Sequence, residues 1–212
     1  ANLSTAIVQT NSTLNDLGGL SLGTSSNGGD AGNYNVISLT GSTYSVTKAP
    51  LGVLVTATYN GTPNFTVGNS TITVTGLVGS EAVTGVTVNS KDVASNGANY
   101  VTTLTGDHGF VSSNYAWYGV NGTGSGGTVA NGVYAGTVSG VANTGGTNVV
   151  TLSKADLVLS GSRVYDGTKI VAGSTLTATG VNGETFAITG SGGAANLSTA
   201  IVQTNSTLND LG

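Results

Sequence analysis

The single histidine of this chain, His108, directly follows Asp107, and a nearby serine would complete the acid, base and nucleophile of a hydrolase. No nucleophile elbow is predicted around this pair, and Gly-Asp-His-Gly is typical of a surface loop. Glycoside hydrolysis needs two carboxylates facing each other across a cleft, whereas the nine acidic residues are spread along the chain, mostly beside turn residues. We therefore expect no enzymatic activity and no catalytic residues.

Calcium binding is the one cofactor function that the sequence leaves open. Hard cations need several oxygen ligands in one place. The candidates are Asp30, Asp156, Asp166 and Glu184, which could meet near the boundary between two modules of the chain. No EF-hand loop or calcium-binding nonapeptide repeat is present. The simpler interpretation is that Asp166 makes a turn and Asp156 caps the start of a strand.

Two lysines at equivalent positions of an internal repeat, Lys48 and Lys154, raise the alternative of an intramolecular isopeptide bond. That bond needs a lysine, an Asn or Asp acceptor and a buried acid, and Glu81 and Glu184 are the equivalent acids. The surrounding sequence does not match known isopeptide domains. A lysine at a linker, facing solvent, explains both positions equally well.

Residues 110–134 hold five of the twelve aromatic residues of the chain, between Gly-rich turns. Tyr and Trp combine apolar area with a hydrogen-bonding tip, and they also stack on sugars. Trp117, Tyr118 and Tyr134 are our candidates for contact with a partner. Tyr115 and Trp117 have a competing interpretation, in which they alternate into the core of a sheet.

Composition excludes several classes of protein. The five Lys and Arg residues are scattered, so no basic surface for nucleic acid is expected. No apolar run approaches the roughly 18 residues that a membrane helix needs. With 38% hydrophobic residues and a net charge of −4, the chain should fold. The absence of cysteine favours a bacterial exported protein over a disulfide-rich extracellular domain.

The chain contains an identical repeat. Residues 1–18 return letter for letter as residues 195–212, so each residue recurs 194 positions later. Tandem repeats of this kind are typical of extended, multi-copy proteins and unusual in enzymes. This repeat predicts a role in reach, spacing or polymerisation.

A second, diverged repeat lies inside the first. Lys48-Ala49-Pro50-Leu51 and the following Tyr59-Asn60-Gly61-Thr62 match Lys154-Ala155-Asp156-Leu157 and Tyr165-Asp166-Gly167-Thr168, and residues 70–76 match residues 174–180. Alternating apolar and polar residues predict strands, for example over 51–57 and 71–75. The Asn-Gly and Asp-Gly pairs predict type I′ hairpin turns. We expect an all-β fold of antiparallel sandwiches.

These motifs resemble a known family. Tyr165-Asp166-Gly167-Thr168 and Gly29-Asp30-Ala31-Gly32-Asn33-Tyr34 are similar to the YDG-type repeat of large bacterial exported adhesins, and residues 44–51 resemble the start of an MBG-type Ig-like module. The resemblance implies tandem Ig-like β-sandwich modules in an extended array, as in filamentous-haemagglutinin-like surface proteins. It implies a secreted, cell-surface or matrix location and no catalytic residues.

The resemblance also divides the chain. Residues 1–47 would be the C-terminal part of a YDG-type module, residues 48–152 a complete MBG-type module, and residues 153–212 the N-terminal part of the next YDG-type module. Two departures from the family are the insertion 107–148 and about 25 additional residues after Glu184, counted through the repeat. The chain is thus expected to start and stop inside a module.

Two functions of different class follow. The first is a structural repeat of an adhesin stalk or self-assembling fibre, whose partners are neighbouring copies of the repeat, joined by strand complementation. The alternative is a carbohydrate- or ligand-binding module that uses the aromatic segment 110–134 to contact a glycan, a host surface or the matrix. Neither function involves nucleic acid or insertion into a membrane.

Overall fold

The structure is a computed structural model that describes residues 1–117, 124–130, 133–138, 141–142, 148–189 and 195–211. For residues 117, 124–130, 133–138, 141–142, 195 and 209–211 it describes the backbone only. Below, the first unit means residues 49–153 and the second unit means residues 154–211. The predicted boundaries at residues 47, 48, 152 and 153 stay predictions.

Strands are the main regular elements of the described residues, and no α-helix occurs in those ranges. The strands are β1 Asn2–Leu3, β2 Gln9–Ser12, β3 Leu14–Asp16, β4 Tyr44–Val46, β5 Ala49–Thr58, β6 Asn64–Thr66, β7 Ser70–Thr75, β8 Ala82–Val88, β9 Val101–Asp107, β10 Tyr115–Trp117, β11 Gly124–Ala130, β12 Val133–Val138, β13 Val141–Ala142, β14 Asn148–Ser153, β15 Val158–Gly161, β16 Leu176–Thr179, β17 Thr185–Ala187, β18 Ala195–Leu197 and β19 Leu208–Leu211. Short 3₁₀ turns span Ala31–Asn33, Val93–Ser95, Ser112–Asn114, Gly173–Thr175 and Val181–Gly183. The predicted all-β class is confirmed.

Strand β5 is the centre of the first unit. Its alternate residues Leu51, Val53 and Val55 are buried, whereas Leu54 between them is 42% exposed. This is the period-2 burial that the sequence predicts for this segment. One edge of β5 pairs with β7 in antiparallel fashion, from Gly52 opposite Thr75 onwards.

The expectation of purely antiparallel sheets is wrong for this sheet, because β14 pairs with β5 in parallel, from Asn148 opposite Val53 onwards. Strand β10 is also parallel to β5, with Trp117 opposite Leu51. The end of β10 and the start of β14 therefore lie opposite Leu51 and Val53, which are only two positions apart in β5. On the edge that pairs with β7, Gly76 already lies against Pro50, since a Cβ built on Gly76 would lie 2.2 Å from Pro50 O. This leaves no room for β10 on that edge. Strands β10 and β14 thus follow each other along the opposite edge of β5.

Within the predicted insertion 107–148, the chain leaves this edge of β5 after β10 and returns to it at β14. Its described strands β11, β12 and β13 form a separate antiparallel sheet. The described strands of the segment between β10 and β14 thus pair with one another and not with β5.

A second sheet faces the first across a shared core. It consists of β6, β8 and β9, all antiparallel. The core is one cluster of buried side chains from both sheets: Leu51, Val53, Val55, Ala57, Phe65, Val83, Val86, Val88, Val101, Leu104, Tyr115, Val150 and Leu152. Each buried Val or Leu contributes roughly 1.5–3 kcal/mol relative to an exposed position, so this cluster is the main source of stability in the described chain.

An asparagine joins the two sheets at the edge of this core. The side chain of Asn148 on β14 is buried, its Oδ1 accepts from Val101 N at 2.8 Å, and its Nδ2 donates to Val101 O at 3.1 Å. The amide therefore pairs with the β9 backbone as another strand would, which satisfies two buried polar groups.

The described residues of the second unit repeat part of the register of the first. Strand β15 pairs with β16, and Val158 opposite Thr179 corresponds to Gly52 opposite Thr75 in the aligned sequences. Strand β17 extends this sheet beyond β16. On its other edge, β15 has no strand partner among the described residues.

The identical eighteen-residue segments form the same hairpin twice. Strands β1 and β3 pair with Asn2 opposite Asp16, and β18 and β19 pair with Asn196 opposite Asp210. In the N-terminal copy, β2 then pairs antiparallel with β4. In the C-terminal copy, the residues identical to β2, residues 203–206, form no strand.

Candidate functional site

Of the two predicted turn motifs, the one in the first unit lies where the two units meet. In the first unit, Asn60 Oδ1 accepts from Thr62 N at 2.9 Å, and in the second unit Asp166 Oδ1 accepts from Thr168 N at 2.9 Å. Only the glycine after each has positive φ, +77° at Gly61 and +75° at Gly167. The predicted type I′ turns are therefore wrong, because they require positive φ at both central residues. Both motifs form side-chain-stabilised Asx turns instead.

The turn of the first unit packs on the 3₁₀ turn Val181–Gly183 of the second. Asn182 Nδ2 donates to Asn60 O at 2.8 Å. The hydroxyl of Tyr59 donates to Glu184 Oε1 at 2.7 Å. A Cβ built on Gly61 would lie 2.3 Å from Asn182 Nδ2, so the two turns are in close contact. We call this contact of residues 59–61 with residues 181–184 the junction.

Lys91, which no sequence motif distinguishes, also contacts the junction. Lys91 Nζ donates to the Tyr59 hydroxyl at 3.1 Å and lies 5.2 Å from the centre of its ring. The hydrogen bond to Tyr59, followed by the neighbouring Asp92, raises the pKa of Lys91. The lysine, tyrosine and glutamate form a chain of alternating donor and acceptor groups. These hydrogen bonds connect the two units. Because the three side chains are half-exposed, the bonds contribute only modestly to stability.

The two equivalent glutamates of the isopeptide alternative both accept from tyrosines. Glu184 accepts from Tyr59, and Glu81 Oε2 accepts from the hydroxyl of Tyr115 in a short hydrogen bond. The Tyr115 hydroxyl also accepts from Val78 N at 3.0 Å. Burial, followed by the hydrogen bond to Glu81, raises the pKa of Tyr115. Lys154 is exposed and Lys48 is half-buried, so the solvent-facing interpretation describes Lys154 better than Lys48.

The four calcium candidates have separate roles in the structure. Asp30 caps the 3₁₀ turn Ala31–Asn33, Asp156 is exposed, Asp166 makes its Asx turn and Glu184 belongs to the junction. Within the described ranges, no three His, Asp or Glu residues lie close enough together to hold a metal ion. The structure thus supplies no grouping for the predicted calcium site.

Asp166 is held by a neighbouring cation as well as by its turn. Its Oδ1 lies in ion-pair contact with Arg163 Nη1, and the other terminal nitrogen of Arg163 donates to Thr168 O at 2.6 Å. The Arg163 contact, followed by the hydrogen bonds from Thr168, lowers the pKa of Asp166 to about 2. This aspartate is therefore a structural residue of its turn.

The hydrolase alternative finds no support in the geometry. Asp107 ends β9 and His108 begins the turn after it, with side chains 67% and 63% exposed, and their ion-pair distance is 3.7 Å. Gly19-Leu20-Ser21-Leu22-Gly23 has the spacing of a nucleophile elbow, which the sequence reasoning missed. The segment is exposed and irregular. Strand β3 ends at Asp16 and does not lead directly into it, and no α-helix follows directly after it, so it does not form that turn.

The aromatic segment is described in part. Tyr115 is buried in the core, as predicted, and its ring stacks on Phe110 with centroids 5.5 Å apart. Trp117 and Tyr134 have described backbones, in β10 and β12, but their side chains lie outside the described atoms. Tyr118 lies outside the described residues. The partner-binding prediction for these three residues stays a prediction.

A groove of about 570 Å³ lies in the second unit. One wall follows β15 and the residues after it, 159–165, and the other wall contains residues 200–206. Arg163 lies in the first wall, and its Nε is buried without a hydrogen-bond partner in the described part of the chain. Leu157, just before this wall, is 54% exposed, whereas its aligned equivalent Leu51 is 1% exposed.

Comparison with known proteins found no matching family model, no similar curated protein and no similar solved structure. The resemblance to adhesin repeats therefore rests on the sequence motifs. None of the described helices is long and apolar enough to cross a membrane.

Proposed function

We propose that this chain is a structural repeat of an extended bacterial surface or extracellular fibre, built from tandem Ig-like β-sandwich units. Its work is mechanical: it holds neighbouring units at a fixed spacing along an array. The observation that carries the proposal is the 194-residue period, because residues 1–18 and 195–212 are identical in sequence and pair in the same hairpin register.

The two units support an origin by duplication. The β5–β7 pair and the β15–β16 pair have equivalent registers, and the Asx turns after β5 and β15 have equivalent hydrogen bonds. An array of homologous units, each contacting its neighbours, gains stability from every added interface. This is the architecture that a stalk requires.

The junction supports a defined angle between successive units. It joins them through two side-chain hydrogen bonds, from Tyr59 to Glu184 and from Asn182 to Asn60 O. A linker alone would let the units rotate freely, and such contacts restrict that rotation. We therefore propose a semi-rigid rod.

Export and a cell-surface or matrix location are part of the same proposal. They are supported by the lack of cysteine, the sparse charge and the motif resemblance. The proposal includes no catalytic step, no nucleic acid and no insertion into a membrane. Its partners are neighbouring copies of the repeat.

Electron microscopy tests this function. A chain of three tandem repeats, imaged by negative stain, should appear as a beaded rod whose length grows with the number of repeats. A compact particle with no fixed long axis would contradict the proposal.

A glycan-binding function of residues 110–134 is the second candidate. It is favoured by one observation: the described strands between β10 and β14 form their own sheet and do not pair with β5. Strands free of that pairing are available for a partner. Binding on a glycan array that is lost in Tyr118→Ala and Tyr134→Ala, but kept in Tyr165→Ala, would support it. No binding by the unaltered chain would refute it.

A further inference from the structure

We propose that the groove of the second unit is a slot for one β-strand, and that its occupant is β4 of a second copy of this chain. In this arrangement residues 42–47 of one copy lie parallel to β15 of another. The inference rests on the proposed function and specifies the surfaces by which copies of the repeat join.

The first unit shows which strand belongs in the slot. There β14 occupies the edge of β5 that is unpaired on β15 within the described residues. The lysine that follows β14, Lys154, aligns with Lys48, which follows β4. By this alignment β4 is the counterpart of β14, and it is the strand that the β15 edge lacks.

The same alignment sets the register. In the first unit Val150 lies opposite Val55 and Leu152 lies opposite Ala57. Carried over to the aligned positions, these pairs become Tyr44 opposite Gly161 and Val46 opposite Arg163. Ser45 then lies opposite Ser162, and Thr47 lies opposite Val164.

Side-chain sizes and exposures fit this register. Tyr44 is 55% exposed where it stands, and the slot places it opposite a glycine, Gly161, which has no side chain to exclude it. Val164 in the wall is 89% exposed. An added strand also brings backbone carbonyls to this wall, which are acceptors of the kind that Arg163 Nε lacks in the described structure.

The other wall of the slot is identical to the present partner of β4. Strand β4 pairs with β2, from Gln9 opposite Val46 to Ser12 opposite Tyr44. Residues 203–206 have the same sequence as β2, and Asn205 has φ +56° where Asn11 has φ +53°. The glutamine contact also recurs, from Gln9 Nε2 to Thr5 O at 2.9 Å and from Gln203 Nε2 to Thr199 O at 3.2 Å.

Strand exchange therefore changes little in the free energy of pairing between β4 and the β2 sequence, because residues 203–206 are identical to β2. A copy that moves its β4 from its own β2 into the slot exchanges one wall for an identical wall, and it gains the pairing with β15. Exchange of an identical element between copies is a low-cost route to assembly. This gives a physical reason why the eighteen residues are repeated. It also places β5 of the donor directly after the second unit of the acceptor, as in a continuous array.

Disulfide trapping tests the slot, because the chain has no native cysteine. Four single-cysteine variants are needed, Ser45→Cys, Thr47→Cys, Ser162→Cys and Val164→Cys, all at exposed positions. Mixing a β4 variant with a β15-wall variant under mild oxidation traps only contacts between different chains. Isotope labelling of one partner identifies the mixed disulfide by mass.

The register predicts which mixtures react. Ser45→Cys with Ser162→Cys and Thr47→Cys with Val164→Cys are matched pairs. Ser45→Cys with Val164→Cys and Thr47→Cys with Ser162→Cys are offset by two residues. The matched pairs should give at least about tenfold more mixed disulfide, since Cα atoms more than about 7 Å apart are not bridged without backbone movement.

Equal yields in matched and offset mixtures, or no mixed disulfide at high protein concentration, would overturn the slot. That outcome leaves the proposed function standing if a three-repeat chain is still a rod. A compact three-repeat chain would overturn the proposed function itself, so the two failures are distinguishable.

Discussion

Tyr59 and Glu184, 125 positions apart in the chain, are joined by a hydrogen bond of 2.7 Å from the tyrosine hydroxyl to the carboxylate. One residue follows the central strand of the first unit, and the other follows the turn Val181–Gly183 of the second. Lys91 donates to the same hydroxyl, so that the tyrosine lies between a cation and an anion. This contact joins the first unit directly to the second.

Tyr59→Phe should loosen the junction. The substitution removes both hydrogen bonds of the hydroxyl but keeps the ring beside Lys91, and a half-exposed bond to a charged group is worth about 1 kcal/mol. Hydrogen–deuterium exchange should become faster at Gly180 and Glu184, whose amides bond within the adjoining turn. Tyr100→Phe, which alters another half-buried tyrosine, is the control and should leave those amides unchanged. Unchanged exchange in both variants would show that the junction does not hold the units.

Gly61→Ala and Gly167→Ala form a matched pair. Both glycines have φ near +76°, so both variants incur about 1–2 kcal/mol of left-handed strain. Only at Gly61 would the new Cβ also clash with Asn182 Nδ2, at 2.3 Å. Urea titration should therefore show a lower free energy of unfolding for Gly61→Ala than for Gly167→Ala. Equal losses would mean that the two turns are not in contact in solution.

Leu51→Ala and Leu157→Ala should differ although the two leucines are equivalent in the internal repeat. Leu51 is 1% exposed in the core, so its truncation should cost about 2–5 kcal/mol. Leu157 is 54% exposed, and its truncation should cost less than about 1 kcal/mol in the dilute chain. Thermal or urea unfolding at low concentration measures both. Similar losses would show that the second unit is as well packed as the first.

Asp166 should make stability depend on acid. Its pKa is lowered from the ordinary 3.8 to about 2, chiefly by Arg163. A carboxyl whose pKa is lower in the folded state stabilises that state fully above the unfolded pKa, and this contribution is lost as pH falls through the folded pKa. Between about pH 4 and pH 2, the melting temperature of the unaltered chain should fall more than that of Asp166→Asn. The asparagine keeps the Asx turn, as Asn60 does in the first unit. Parallel pH profiles would contradict the assignment.

The sequence predicted what depends on local pattern. The alternation at Leu51, Val53 and Val55 gives β5 and its buried face, and Tyr115 reaches the core as expected. The type I′ turn predicted at Asn60 is wrong because this Asn-Gly pair does not close a hairpin. In the structure it leads from β5 in one sheet to β6 in the other.

The remaining features depend on contacts between distant residues. Nothing in the local sequence around Trp117 or Asn148 indicates that both lie along the same edge of β5, although thirty residues separate them. For the same reason, the parallel pairing of β10 and β14 with β5 could not be predicted. Lys91 has no distinctive sequence context, and its position over Tyr59 exists only after the chain has folded. The groove depends on the edge of β15 that is unpaired in the described residues, which no local pattern indicates.

Small-angle X-ray scattering of chains with one, two and three repeats tests the central claim most directly. A unit of about 100 residues has a radius of gyration of about 13 Å, hence a diameter of about 34 Å. Two units per repeat should therefore lengthen the particle by about 70 Å for each repeat added, at constant cross-section. A maximum dimension that rises only with the cube root of chain length would contradict the account of this protein as an extended array.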